Sequence, residues 1–335
     1  ISLRKGRKIN EKTLLIFDEI QECPNIISSL KYFCQDFREI PVIATGSMVR
    51  IKLQRETRKG GSEKYDKFLF PVGKINQLTV YPMTFDEFLL NSNKMLYDAV
   101  KKAYDEKKPL DMQIHALATE QVYKYLLVGG MPEAVEAYVD RDDLLESREI
   151  LKTLYDNYLS DMELYQASRE AILRSRALFQ NIYRELNRES KNFSPGLIEK
   201  NSKTRDYATS VQWLGTAHVV NQSFQLKEHI TMPLMPDSES CFRLFLGDIG
   251  MFSYQSGINA ASFVSSERDN TLSGIFFENF VANELIAKGH KLFYWRGRTS
   301  AEFEFIVESN NKLYPIDVKK GKGTLNSLEK FSSHN

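Results

Sequence analysis

Two adjacent carboxylates, Asp18 and Glu19, end the apolar run Leu14-Leu15-Ile16-Phe17. Four apolar residues followed by acids read as a buried parallel strand that delivers charge at its carboxyl edge. An Asp so placed can hold a Mg²⁺ ion on phosphate groups, and the Glu beside it can orient an attacking water. A helix further on, Pro41-Val42-Ile43-Ala44-Thr45 reads as a second buried strand, ending in Gly46-Ser47. Its hydroxyls, Thr45 and Ser47, then stand at the same sheet edge, where they can touch a γ-phosphate or its water. An isolated acid pair also serves simply to cap a strand and face water. Two polar strand ends flanking one helix are more specific than either alone.

A second set lies towards the other end. Glu278 sits in a helical pattern whose Phe277, Phe280, Val281 and Leu285 form the apolar stripe. Glu302 and Glu304 alternate onto one face of a strand, and Asp317 and Lys319 share a face of another with Ile316 and Val318 between. A helix acid, a strand acid and an Asp-x-Lys pair can bind Mg²⁺ through Glu304 and Asp317, with the lysine stabilising or activating hydroxide. The plainer alternative is that charged residues occupy the solvent side of strands. A third group, Lys191, Lys200, Lys203 and Arg205, forms a local basic cluster suited to phosphate contact, or an ordinary solvated surface. The five histidines show no metal-ligand spacing.

The elements that must position these groups follow from pattern. Residues 1–90 alternate strand and helix signals in β-α-β order, which implies a parallel sheet with ligands at the strand carboxyl ends. Leu78 to Met83 reads as a short strand stopped by Pro82, and Thr84 as the cap of an amphipathic helix. Lys52 to Lys67 is polar and charged and reads as a surface loop. Residues 91–190 are helical in pattern, broken at Gly129-Gly130-Met131-Pro132. Helix signals at Pro195 to Lys200 and Thr204 to Leu214, then strand signals from His218 to Leu226, give the order of a winged helix. A helix over 275–288 and three strands close the chain.

Composition narrows the class. The 335 residues are 42% hydrophobic and 27% charged, ordinary for globular domains, and long enough for two or three cores. A net charge of +1 gives no global attraction to nucleic acid or membrane, so such binding must come from local patches. Three cysteines without C-x-x-C spacing suit a reducing compartment and argue against a disulfide framework or zinc site. No run approaches the roughly 18 apolar residues of a spanning helix. A cytoplasmic location and no membrane partner are the expectations.

Several motifs in order carry a family resemblance: LLIFDEIQECP (14–24), IATGS (43–47), YPMTFDEFL (81–89) and LVGGMPEA (127–134). FRLFLGDIGM (242–251), FENFVANEL (277–285) and YPIDVK (314–319) extend it over nearly the whole chain. The chain resembles a prokaryotic family of AAA-type ATPases with a C-terminal domain of unknown function. The resemblance implies that Asp18 and Glu19 are the Walker B acids and that Thr45 or Ser47 is the sensor. It implies ATP and Mg²⁺ as cofactors, a DNA or protein partner, and a homo-oligomer. Gly73-Lys74 stands where relatives often have Gly-Arg, so Lys74 is the candidate trans-acting basic residue, as a point charge in place of a planar fork.

The C-terminal set, Glu278, Glu304, Asp317 and Lys319, resembles the PD-(D/E)XK nuclease core. Relatives generally carry Asp at the position of Glu304 and Glu at that of Asp317. The phosphate-loop pattern G-x-x-x-x-G-K-[ST] occurs nowhere in the 335 residues, and 17 residues precede Asp18. The expectation is a longer protein with that loop upstream of Ile1; the alternative is a pseudo-ATPase. The expected fold is α/β: an incomplete P-loop NTPase-type parallel sheet (1–90), a helical lid (91–165), a winged-helix-like domain (166–240) and a nuclease-like α/β domain (241–335). ATP hydrolysis coupled to remodelling of a partner is the expected function. A nucleic-acid or protein binding module with a Mg²⁺-dependent or inert nuclease-like domain is the alternative.

Overall fold

Strands β1 (Leu15–Phe17) and β2 (Val42–Ala44) pair in parallel, with Leu15 opposite Val42, Ile16 opposite Ile43 and Phe17 opposite Ala44. Helix α1 (Pro24–Asp36) makes the crossover; Pro24 at its first turn costs no hydrogen bond because that N–H has no intrahelical acceptor. The Phe33 ring of α1 lies 5.8 Å from that of Phe17, and Ile27 and Leu30 are buried. The other sheet face carries Ile16 and Ile43, which are 62% and 50% exposed. The apolar runs suggested strands buried on both faces; among the described residues only one face is covered.

The computed structural model describes residues 6, 9–46, 73–166, 168–259, 274–297 and 302–319. The chain divides into two compact units, Ile1–Val80 and Tyr81–Asn335. The strand expected over 78–83 is not one: Leu78 and Val80 are 88% and 86% exposed, and no strand edge among the described residues pairs with them. Further along, the Met83 N–H donates to the Gly130 carbonyl at 2.7 Å.

In the second unit, helices α2 (Phe85–Ser92), α3 (Lys94–Asp105), α4 (Met112–Val128), α5 (Pro132–Arg141), α6 (Leu144–Tyr165) and α7 (Arg169–Leu186) follow one another. Their starts are written in local chemistry. Thr84 and Glu87 form a reciprocal capping box at α2, and Asn93, Asp111, Asp143 and Ser168 cap α3, α4, α6 and α7. Helix α4 stops at Gly129, whose φ of 73° suits a residue without Cβ. Phe88, Tyr125, Leu126, Phe179, Phe252 and Phe276 lie in one continuous core.

Helix α8 (Ala208–Thr216) leads into β3 (Val220–Gln225), β4 (Phe242–Leu246) and α9 (Ile249–Gln255). Helix α10 (Gly274–Ala287), β5 (Leu292–Arg296), β6 (Glu302–Ser309) and β7 (Lys312–Ile316) complete the order. Among the described residues the five strands make one sheet in the order β4-β3-β5-β6-β7; β3 and β5 are parallel and the other pairs antiparallel. One face belongs to the main core with α10, and the other holds Leu226, Leu234, Phe293, Trp295, Phe303 and Ile306. The sheet therefore runs through position 240 without a break. Of the two helices expected after residue 194, the first is a single 3-10 turn, Pro195–Leu197, because Asn201 at φ 67° reverses the chain soon after. No helix among the described residues is long and apolar enough to cross a membrane.

Candidate functional site

The first unit brings Asp18 and Thr45 together. The Thr45 hydroxyl donates to Asp18 Oδ1 across the carboxyl ends of β1 and β2. Main-chain bonds fix that edge: Thr45 N–H donates to Phe17 O at 2.8 Å, and Ile20 N–H to Thr45 O at 2.9 Å. Glu19 turns the chain out of the strand in a left-handed conformation (φ 48°, ψ 52°), a position that favours glycine, and buried Ile20 anchors the turn. Its carboxylate accepts a hydrogen bond from Gln21 Nε2. Both acids are exposed at the edge. Ser47 lies outside the described residues. Lys74 is exposed beside Gly73, and no contact among the described residues ties it to the acids.

A carboxylate and a hydroxyl at adjacent strand ends are hard oxygen donors. They fit a hydrated Mg²⁺, which takes one or two carboxylates and keeps its waters or phosphate oxygens. Asp18 with Thr45 would hold that shell. The sequence contains no loop of the G-x-x-x-x-G-K-[ST] type to cradle the phosphates.

In the second unit Glu304, Asp317 and Lys319 meet at one end of the sheet, and Glu278 of α10 lies within electrostatic reach of Glu304 and Lys319. Glu304 of β6 accepts from the Val318 N–H at 3.0 Å, and Lys319 Nζ approaches Glu304 at 3.8 Å and binds Asp317. Glu278 of α10 is 4% exposed and pairs with Lys191 Nζ at 2.6 Å. Burial pushes the Glu304 carboxyl up to about 7, aided by Asp317 and Glu278 and opposed by Val318 N–H and Lys319. Burial works against the Lys319 ammonium, but Asp317, Glu304 and Glu278 together raise it above its ordinary value. Among the described residues no group of three or more His, Cys, Asp or Glu side chains is disposed to hold a metal ion. Glu278 and Asp317 face the ammonium groups of Lys191 and Lys319.

Other residues escaped sequence reasoning. Lys191 is drawn out of the expected surface basic cluster into the pair with Glu278, while Lys200, Lys203 and Arg205 remain exposed. Arg243 is 3% exposed, bonds Glu302 and stacks its guanidinium 3.9 Å from the Tyr294 ring centre. No local signal marks either, since their partners lie tens of residues away. Asp248 did carry a signal, an Asp before the apolar run Ile249-Gly250-Met251-Phe252. It caps α9 through Met251 N–H at 2.9 Å and also accepts from Gly130 N–H at 2.7 Å.

Family comparison agrees with the strand-end geometry. Residues 2–89 match the model described as an AAA domain. The matches support an AAA-type ATPase-like family. Residues 119–262 match a domain of unknown function (DUF8612), and residues 273–335 another (DUF4143). The chain matches no curated protein and no solved structure.

Proposed function

We propose that the chain supplies the Mg²⁺-side acids and sensor hydroxyls of an AAA-type ATPase that couples ATP hydrolysis to remodelling of a nucleic acid or protein partner. The observation that carries the reading is the Thr45–Asp18 hydrogen bond, which joins the carboxyl ends of two parallel strands around one crossover helix. Asp18 would hold the Mg²⁺ shell. Glu19 accepts the proton of the water that attacks the γ-phosphorus; the bridging P–O bond breaks and ADP leaves. Thr45 and Ser47 sense the γ-phosphate, Thr45 through its bond to Asp18. Mg²⁺ supplies charge neutralisation when bound.

Mg²⁺-dependent ATP hydrolysis by the natural full-length protein tests this. Glu19→Gln is expected to lower kcat by about 10²-fold or more, and Asp18→Asn to abolish the Mg²⁺ dependence. Wild-type turnover in both variants would remove the reading.

A second reading is supported by the meeting of Glu304, Asp317 and Lys319, with Glu278 within electrostatic reach. It is a nucleic-acid binding module with a nuclease-like C-terminal part. Incubation of DNA with Mg²⁺ or Mn²⁺, with Lys319→Ala as control, separates the cases. Cleavage lost in the variant supports nuclease chemistry, and salt-dependent binding without cleavage supports a binding module.

A further inference from the structure

Gln21 is an amide buried where an apolar side chain would serve the fold better. It is 4% exposed, two residues after Glu19 and beside buried Ile20, in the 3-10 turn Ile20–Glu22. Its Nε2 donates to Glu19 Oε2, and its Oε1 is buried with no hydrogen-bond partner. The orientation follows from chemistry: an ionised carboxylate only accepts, so the amide nitrogen must be the atom that faces it. The oxygen is then left among atoms that offer it no donor. A buried polar atom without a partner costs free energy, and an apolar side chain of similar size carries no such cost. Stability alone therefore gives no reason for a glutamine here.

The reason lies in Glu19. It is exposed at the carboxyl edge of β1, on a long and flexible side chain. Left alone, such a carboxylate spreads over many rotamers, whereas a base that orients water needs one. The main chain fixes where the ordering donor stands. Ile20 N–H donates to Thr45 O at 2.9 Å, Glu22 N–H to Glu19 O at 2.9 Å, and Cys23 N–H to Ile20 O at 3.0 Å. Those bonds tie the turn to the end of β2 and set the Gln21 stem in its buried position. Gln21 then holds one oxygen of Glu19, as Thr45 holds Oδ1 of Asp18.

We propose that Gln21 is a positioning residue: its buried amide fixes Glu19 Oε2, so that Glu19 Oε1 takes the proton of the attacking water. That proton leaves as the water oxygen bonds to the γ-phosphorus and the bridging P–O bond to ADP breaks. The inference rests on the ATPase reading for the role of Glu19. For the role of Gln21 it rests on the hydrogen bond and the orphaned oxygen. It accounts for an amide that costs stability being kept two residues from the acid.

The deciding variant is Gln21→Met in the natural full-length protein, close in size to wild type and without the amide. Its kcat for Mg²⁺-dependent ATP hydrolysis is expected to fall about tenfold, with KM for ATP within about twofold of wild type. Its urea midpoint should equal or exceed that of wild type, because the orphaned oxygen is gone. In a Glu19→Gln background the same change should cost no further kcat, since the group it positions is already disabled. Gln21→Leu takes its place if the methionine variant does not fold. A readout without nucleotide comes from the Gln21 side-chain amide signals in NMR spectra of the 335-residue chain. These are identified by their loss in Gln21→Met, and they should shift in Glu19→Gln. Wild-type kcat in Gln21→Met overturns the proposal, as does a loss of kcat that follows a lowered urea midpoint. An equal loss in the Glu19→Gln background, or amide signals that stay in place, also overturns it. Full turnover in Glu19→Gln, or no hydrolysis by wild type, removes the ATPase reading and this inference with it, even where the amide signals shift.

Discussion

Asp248 has no water to turn to, and its two oxygens are shared among main-chain N–H groups of α9 and of Gly130. Burial raises its carboxyl to about 6, against the lowering by Gly130, Met251, Gly250 and Ile249 N–H groups. The Tyr125 and Tyr158 side chains face it and are raised in turn, first by their own burial and then by its charge. The folded value lies above the unfolded 3.8, so the folded state binds the proton more tightly. Stability from this group is therefore fully present below about pH 4 and is lost as pH rises through 6. Two units correspond to at most about 3 kcal/mol. Urea unfolding of wild type and Asp248→Asn at pH 4.5 and pH 7 checks it. The difference between them should move in favour of wild type by about 1–3 kcal/mol on going to the lower pH. No movement would mean that the carboxylate stays charged in the fold.

Among elements, the tightest junction is where α4 ends and α5 begins. A Cβ on Gly130 would collide with the Met83 carbonyl and amide, the stretch that leads into α2. Gly196, on its 3-10 turn, has nothing within 4 Å of such a Cβ. Gly130→Ala is therefore expected to cost about 3 kcal/mol, the upper end of overpacking, and Gly196→Ala less than about 0.5 kcal/mol. Chemical denaturation of the pair decides it; equal costs would show that the junction yields. Elements with local causes were legible in the sequence. The Thr84 cap and the parallel β1-α1-β2 unit both follow from local pattern. Leu78 to Met83 has strand composition but pairs with no strand edge among the described residues, and strand composition without an edge makes no strand. The pairing of β3 with β5 depends on the chain folding back over about seventy residues, the Lys191–Glu278 pair over 87 and the Arg243–Glu302 pair over 59. Nothing in short spacing encodes these. The β-bulge between Phe293 and Trp295 likewise shifts which residues of β6 share a face, and alternation alone passes over it.

At the scale of the whole chain, the acids and hydroxyl proposed for an ATP site stand at the strand ends, and the sequence has no G-x-x-x-x-G-K-[ST] loop to grip phosphate. Phosphate affinity in nucleotide-binding loops comes from several convergent main-chain N–H groups and a lysine, at a helix N-terminus that points at the anion. No stretch of the 335 residues has the spacing to supply them. What remains is the exposed pair Asp18 and Glu19, with Thr45 on Asp18. Two carboxylates repel a triphosphate unless Mg²⁺ intervenes, and Mg²⁺ alone adds no grip on the base or ribose. The 335-residue chain is therefore expected to bind a fluorescent ATP analogue with Kd of about 1 mM or weaker, close to −4 kcal/mol. Added Mg²⁺ should change that little, and Asp18→Asn should change it less. Micromolar binding that Asp18→Asn weakens would place a phosphate cradle within these residues by a loop of another pattern, and the reading of the strand ends as half of the site would give way to a complete one.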